Sequence, residues 1–313
     1  MNRSLIKILI GIWTAIAVIG ICFLIYGLLY GGNFTIFKFN NTSVLYRYKI
    51  QQDEKVSADN LNKISLDFYG ADVFINTTDE ADLRVVQSST STLRDKDKFV
   101  INKNNGEVEI STSSKIKRIP FHIFEFRNIK QKIQVYIPRK YSENLYVSSS
   151  SGDVIFNFSS KLDNIHCNQA SGDITVKDSI TANNVNLKTI SGDISLNTIY
   201  SKKYSIGDTS GDICINSISG SGYIKNVSGD TNIEYKGIDD YSQVDSVSGD
   251  IKLKVPQNFN FKFSGQCTVG DINSDFQLNY ENSKKNKASL QVGNEPYKTI
   301  NVKVVSGDIN LYR

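Results

Sequence analysis

An all-β fold, a parallel β-solenoid of about 20-residue coils preceded by one transmembrane helix, is what this sequence predicts. Three observations carry the prediction. The tripeptide Ser-Gly-Asp recurs seven times, beginning at Ser151, Ser171, Ser191, Ser210, Ser228, Ser248 and Ser306. The residues around each copy alternate apolar and polar with the period of a strand. The stretch from Ile8 to Tyr30 contains no charged residue.

The membrane helix comes first in the chain. Residues 8 to 30 are dominated by Ile, Leu, Val, Phe and Ala, long enough for a hydrocarbon layer of roughly 30 Å. A secretory signal has a shorter apolar core and a small-residue cleavage site, and none is evident. Cys22 follows Ile21, where a lipoprotein signal needs a small residue. Arg3 and Lys7 precede the run, so residues 1–7 are expected in the cytoplasm and the body outside. The expected localisation is a single-pass cell-membrane protein with an extracytoplasmic solenoid.

Residues 31–60 read as a linker and entry strand, and 61–144 as a less regular first part of the solenoid. The alternating runs there are Ile64 to Phe68, Asp72 to Ile75, Leu83 to Val86, Val108 to Ile110 and Ile133 to Ile137. Tyr69-Gly70-Ala71-Asp72-Val73 is a degenerate relative of the later repeat.

From 145 to 313 the repeat is regular. Its corners are Ser151-Gly152-Asp153, Ser171-Gly172-Asp173, Ser191-Gly192-Asp193, Ser210-Gly211-Asp212, Ser228-Gly229-Asp230, Ser248-Gly249-Asp250 and Ser306-Gly307-Asp308, with a decayed copy at Val269-Gly270-Asp271. From Gly152 to Gly270 the glycines are 20, 20, 19, 18, 20 and 21 residues apart; Gly270 to Gly307 is 37, close to two units. An apolar residue, any residue and usually a second apolar one follow the aspartates, as in Ile174/Val176 and Ile194/Leu196. Two positions before the serines tend to be apolar. One is adjacent (Ala170, Ile190, Val227, Val247, Val305) and one lies three residues before that (Cys167, Leu187, Ile206, Ile224, Val244, Val302). A spacing of three implies a bend or bulge between strands. No unit can bury its apolar face alone, whereas stacked units share one core. Roughly ten to twelve coils give a body of about 50 Å.

The motif reads as a structural turn. Glycine admits positive φ without steric cost, and the Ser and Asp side chains are expected to accept hydrogen bonds from the turn's amides. Stacking brings the carboxylates within roughly 5 Å of one another, so each is exposed, bonded to amides or bridged by cations. Capping of its own turn by each Asp and a Ca²⁺ column both remain open.

Two irregular segments stand out. Tyr280 to Pro296, with Lys284, Lys285 and Lys287, reads as a solvated loop. Lys115 to Lys132 carries Ile119, Phe121, Phe124, Phe126 and Arg127, either a hairpin packed on the solenoid or a lip that touches a membrane or a partner.

No catalytic or metal-ligating pattern is present. There is no nucleophile elbow, P-loop, dinucleotide fingerprint or metalloprotease motif. The only histidines are His122 and His166, and the body's cysteines, Cys167, Cys214 and Cys267, are too far apart along the stack to pair, leaving three free thiols. A net charge of +4, dispersed along the chain, does not suggest nucleic-acid binding. No cofactor and no enzymatic activity are expected.

With these residues the chain resembles the bacterial "putative adhesin" family of Ser-Gly-Asp-Ile repeat β-strand proteins, a domain of unknown function. The resemblance covers about Leu61 to Arg313, including Val135-Tyr136-Ile137-Pro138, Leu145-Tyr146-Val147 and Val302 to Ile309. It implies a parallel β-solenoid in a cell-envelope protein with one membrane span, and no catalytic residues. The functional expectation is a non-enzymatic interaction module whose partners are the membrane and a cell-wall polymer or envelope protein. Two alternatives stay open: an accessory of an envelope-stress sensor, and a polysaccharide-acting β-helix enzyme.

Overall fold

In the computed structural model the described residues are 47–112 and 129–313. The expected membrane helix at 8–30 lies outside them, as do Cys22, His122 and the lip residues Ile119, Phe121, Phe124, Phe126 and Arg127. Among the described residues no helix is long and apolar enough to cross a membrane. They form strands of one long sheet, with a 3-10 turn at Asp95–Asp97.

The alternation read in the sequence sets the coil. In the strand Ile174–Ser191, Ile174, Val176, Ile180, Ala182, Val185 and Leu187 are buried, and residues between them face outward. The strands Ile194–Ser210, Ile213–Ser228 and Thr231–Ser248 repeat this pattern and pair in parallel, position on equivalent position. Ile174, Ile194, Ile213, Thr231, Ile251, Ile309 and Ile272 therefore form one inward column, each at most 1% exposed. A buried aliphatic side chain contributes about 1.5–3 kcal/mol, and here only the neighbouring coils provide that burial.

One expectation fails at the end of each coil. Beyond Leu187 the strand continues without a bulge, and its register holds through Lys188 to Ser191. Lys188 points out, Thr189 in and Ile190 out, with Ile190 60% exposed. The spacing of three arises because the inward site between the two apolar positions is polar. Val227, Val247 and Val305 are likewise on the outer surface, not in the core.

The stack is not in sequence order. Following the pairing, the corners run Gly70, Gly152, Gly172, Gly192, Gly211, Gly229, Gly249, Gly307 and then Gly270. The C-terminal strands Lys298–Ser306 and Ile309–Tyr312 are inserted between the coil ending at Lys254 and the earlier-made strands Phe261–Val269 and Ile272–Ser274. The 37-residue interval is thus an excursion and a return. Part of it, expected as a solvated loop, is a terminal cap: Lys287–Val292 pairs antiparallel with Phe261–Val269 and buries Ala288 and Leu290. The flanking lysines hide the alternation of Ala288, Leu290 and Val292.

At the other end the Gly70 coil, Lys63–Phe68 and Asp72–Thr78, stacks on the Gly152 coil. Beyond it one more parallel layer, Glu107–Thr112 and Gln131–Pro138, stacks on the Gly70 coil, and only past that layer do the strands change direction. Asp82–Ser89 and Lys49–Ser57 pair antiparallel, as do Glu107–Thr112 and Phe99–Asn104. Residues 61–144 contribute a single corner coil of the repeat type. The nine corner coils account for about 40 Å of stack at the usual strand spacing, and the layers of Glu107–Thr112 with Gln131–Pro138, of Asp82–Ser89 and of the Lys287–Val292 cap lengthen it at the two ends.

Candidate functional site

The Ser-Gly-Asp corners stack one above another, and their hydrogen bonding differs from expectation in two ways. Each aspartate caps the next coil rather than its own turn. Asp153 Oδ1 accepts from Asp173 N–H at 3.0 Å, Asp173 from Asp193 at 2.8 Å, Asp193 from Asp212 at 2.8 Å, Asp212 from Asp230 at 2.8 Å and Asp230 from Asp250 at 2.9 Å. Asp250 and Asp308 continue the ladder to Asp308 and Asp271, and Asp72 begins it at Asp153. The motif serines bond through their carbonyls: Gly172 N–H donates to Ser191 O and Gly229 N–H to Ser248 O. Their hydroxyls make no hydrogen bond among the described residues.

Each motif glycine has positive φ, from 97° at Gly152 to 153° at Gly211. At Gly229 (φ 127°) a Cβ would also collide with the Gly211 carbonyl.

The polar inward column before the corner serves the same turn. Gln169 Nε2 donates to the Gly152 carbonyl, Thr189 Oγ1 to Gly172 O at 3.4 Å, and Asn226 Nδ2 to Gly211 O and Gly229 O at 3.1 Å each. Ser246 and Asp208, in the same column, make no such bond: the Ser246 hydroxyl is buried without a partner, and Asp208 carries a carboxylate. Its Oδ1 accepts from Thr209 and Ser210 N–H at 2.6 and 3.1 Å, while its buried Oδ2 has no partner. Burial raises the Asp208 pKa, with the nearby Asp193 and Asp212 charges adding to the effect against the lowering by the two N–H donors. A folded pKa above the unfolded value of about 3.9 means that stability is lost as pH rises through the folded pKa. Asp208→Asn should copy Asn226, retain both N–H bonds and gain a donor to the glycine carbonyls. Its thermal midpoint should exceed the wild type's by about 2–4 °C at pH 7, with the gain shrinking towards pH 4. An equal gain at both pH values would show that the carboxylate charge is not the cause.

The surface with unspent chemistry is the outer face just before the corners. Its strands present three outward columns. Nearest the corner is Ile190, Thr209, Val227, Val247 and Val305, whose aliphatic members are 44–60% exposed. Two residues back is Lys188, Gly207, Lys225, Asp245 and Lys303. Two further back, Tyr223 is 43% exposed and packs edge-on against Tyr241, ring centroids 5.4 Å apart. Where Gly207 omits a side chain the surface dips into a hollow of about 600 Å³ that includes Lys188, Ile190, Thr209, Tyr223 and Lys225. A second hollow of about 510 Å³ continues it past Lys225 to Val227, Asp245, Val247, Lys303 and Val305.

The other singled-out residues lie elsewhere. His166 is on the outer face beside Tyr146, with its Nε2 2.7 Å from Asn168 Nδ2. Burial and the Lys188 charge lower its pKa. Cys167, Cys214 and Cys267 are free thiols, as expected. Among the described residues no group of three or more His, Cys, Asp or Glu is arranged to hold a metal ion. The outward columns were missed in the sequence because a half-exposed valine and a buried one look alike until strand parity is known.

The model of the Toastrack DUF4097 family matches residues 61–312. No curated protein matches the chain. Solved structures similar to it include a "putative adhesin" from Bacteroides fragilis NCTC 9343, 15% identical with a TM-score of 0.44, covering 84% of this chain and 97% of that one. Another is a "putative cell adhesion protein" from Clostridium sporogenes ATCC 15579, 13% identical, TM-score 0.32, covering 85% and 99%. A third is a "putative lipid binding protein" from Parabacteroides distasonis ATCC 8503, 14% identical, TM-score 0.40, covering 83% and 96%. At these identities and scores the function has to be argued from this chain's own side chains.

Proposed function

The chain belongs to the Toastrack DUF4097 family, a domain of unknown function, and on that premise we propose that it is a non-enzymatic, membrane-anchored interaction module whose solenoid stands outside the cell membrane. The observation that carries the reading is the outer face before the corners. Aliphatic side chains stand half-exposed beside lysines that form no ion pair among the described residues. Exposed apolar rows of this kind mark contact surfaces, and a rigid repeat presents them at fixed intervals suited to an extended partner. The uncharged run at 8–30, with Arg3 and Lys7 before it, supports the anchor and the orientation.

Orientation is tested with the thiols. Cys214 is exposed, while Cys167 and Cys267 are buried and burial raises both thiol pKa values, Cys267 to about 11. A membrane-impermeant maleimide should label intact cells through Cys214, and Cys214→Ser should abolish the signal. Labelling only after lysis places the body in the cytoplasm and defeats the proposal. The interaction role is tested by retention of the full chain on isolated cell wall and by envelope proteins that co-purify with it. If the chain is not retained on cell wall and no envelope protein co-purifies with it, that role is ruled out.

A further inference from the structure

We infer that the face bearing Lys188, Lys225 and Lys303 is a docking groove for an acidic amphipathic helix supplied by another protein. The inference rests on the interaction-module reading and names the surface and the partner's chemistry.

The dimensions come first. The row Ile190, Thr209, Val227, Val247 and Val305 crosses five successive coils, about 19 Å at the usual strand spacing. An α-helix of about 13 residues has that length. Tyr223 and Val227 lie on the same outer side of one strand, four residues and thus about 13 Å apart, enough to seat one helix about 10–12 Å across. The two hollows meet at Lys225 and run along the stack axis, so the occupant lies across the strands. An added strand would need a free sheet edge, which this face lacks.

Charge selects the occupant. Lys188, Lys225 and Lys303 are exposed and form no hydrogen bond or ion pair among the described residues. Asp245 stands between Lys225 and Lys303 in register, yet its Oδ2 accepts from Gln243 Nε2 at 2.8 Å and neither lysine pairs with it. The groove is therefore an aliphatic row flanked by unpaired positive charge. It matches a helix with one apolar stripe and acidic residues beside it.

The other occupants fit less well. A bilayer surface favours a convex apolar face, and this one is hollow. A polyol-phosphate polymer leaves the aliphatic row uncovered. A second copy docked on the same face would oppose three lysines from each copy against one aspartate each. The chain's own segments outside the described residues are not acidic: residues 1–46 contain no Asp or Glu, and 113–128 contain Glu125 alone.

The test is photo-crosslinking in intact cells that make the full chain. Benzoylphenylalanine replaces Thr209 in the groove, or Ser195 on the outer surface beyond the corner. The Thr209 probe should capture a protein segment that mass spectrometry maps to an acidic stretch with apolar residues at i, i+3 and i+4. The yield should fall about tenfold in Lys188→Glu/Lys225→Glu/Lys303→Glu, whose unchanged melting profile would show that it folds. Lys→Gln at the same positions should give an intermediate loss. Capture of lipid, wall polymer, a second copy or a non-acidic segment overturns the inference and leaves the interaction module standing. Equal capture from Ser195, a yield indifferent to charge reversal, or no capture at all also overturns it. The module itself falls only if the cell-wall and co-purification experiments fail too.

Discussion

Gly229→Ala is expected to destabilise the solenoid by about 4 kcal/mol, enough to separate it from the other two glycine variants below in a urea melt. Gly229 sits at φ 127°, a region that side-chain-bearing residues rarely occupy, and a Cβ there would strike the Gly211 carbonyl. That carbonyl is backbone in the adjoining coil, so relief requires the two coils to separate. Two controls divide the effect. Gly70 has φ 70°, and an added methyl there would meet nothing within 4 Å, so Gly70→Ala should cost only the left-handed backbone strain, about 1–2 kcal/mol. Gly237 has no positive φ, and a methyl there would stand 3.9 Å from its nearest neighbour, Ser219 Oγ. Gly237→Ala should be neutral or stabilising by about 0.5–1 kcal/mol. If Gly229→Ala melts with Gly237→Ala, close coil approach is not what fixes glycine at the corners.

The same comparison shows what can be read from one sequence. The corner glycines were legible because positive φ leaves a compositional mark that nothing else replaces. The inward isoleucines after most of the motif aspartates were legible because a period of two has only one buried parity. Val227 and Val247 were misread for the converse reason. Their apolar character matched the core, but their parity, set by Asn226 and Ser246 pointing in, puts them outside. The aspartates were read correctly as amide acceptors and wrongly as local ones. Sequence shows a residue's neighbours in the chain, whereas the amide that Asp212 Oδ1 accepts from belongs to Asp230, one coil away. The docking face was illegible because its three columns combine residues from five coils.

The interleaved C-terminus makes a second large effect predictable. Phe261–Val269 and Ile272–Ser274 reach the main stack only through Lys298–Ser306 and Ile309–Tyr312. Lys287–Val292 in turn is held by Phe261–Val269 and the short strand Asn279–Tyr280. Deleting residues 298–313 should therefore unfold 255–297 as well, although those residues remain in the chain. A repeat array loses its ends locally, so the coils up to Lys254 should persist, with residues 241–248 and Ile251–Lys254 as the new edge. Limited proteolysis should leave a resistant fragment ending near Lys254, where the intact chain resists through its C-terminus. Ile309→Asp, which buries a charge between two coils, should produce the same fragment at lower protease doses than wild type requires. A resistant fragment of the deletion variant that still contains Phe261 to Ser274 would refute the interleaved order. If that order holds, the Gly270 coil emerges from the ribosome before its docking surface exists. The far end of the solenoid then closes only once the last strands have been made.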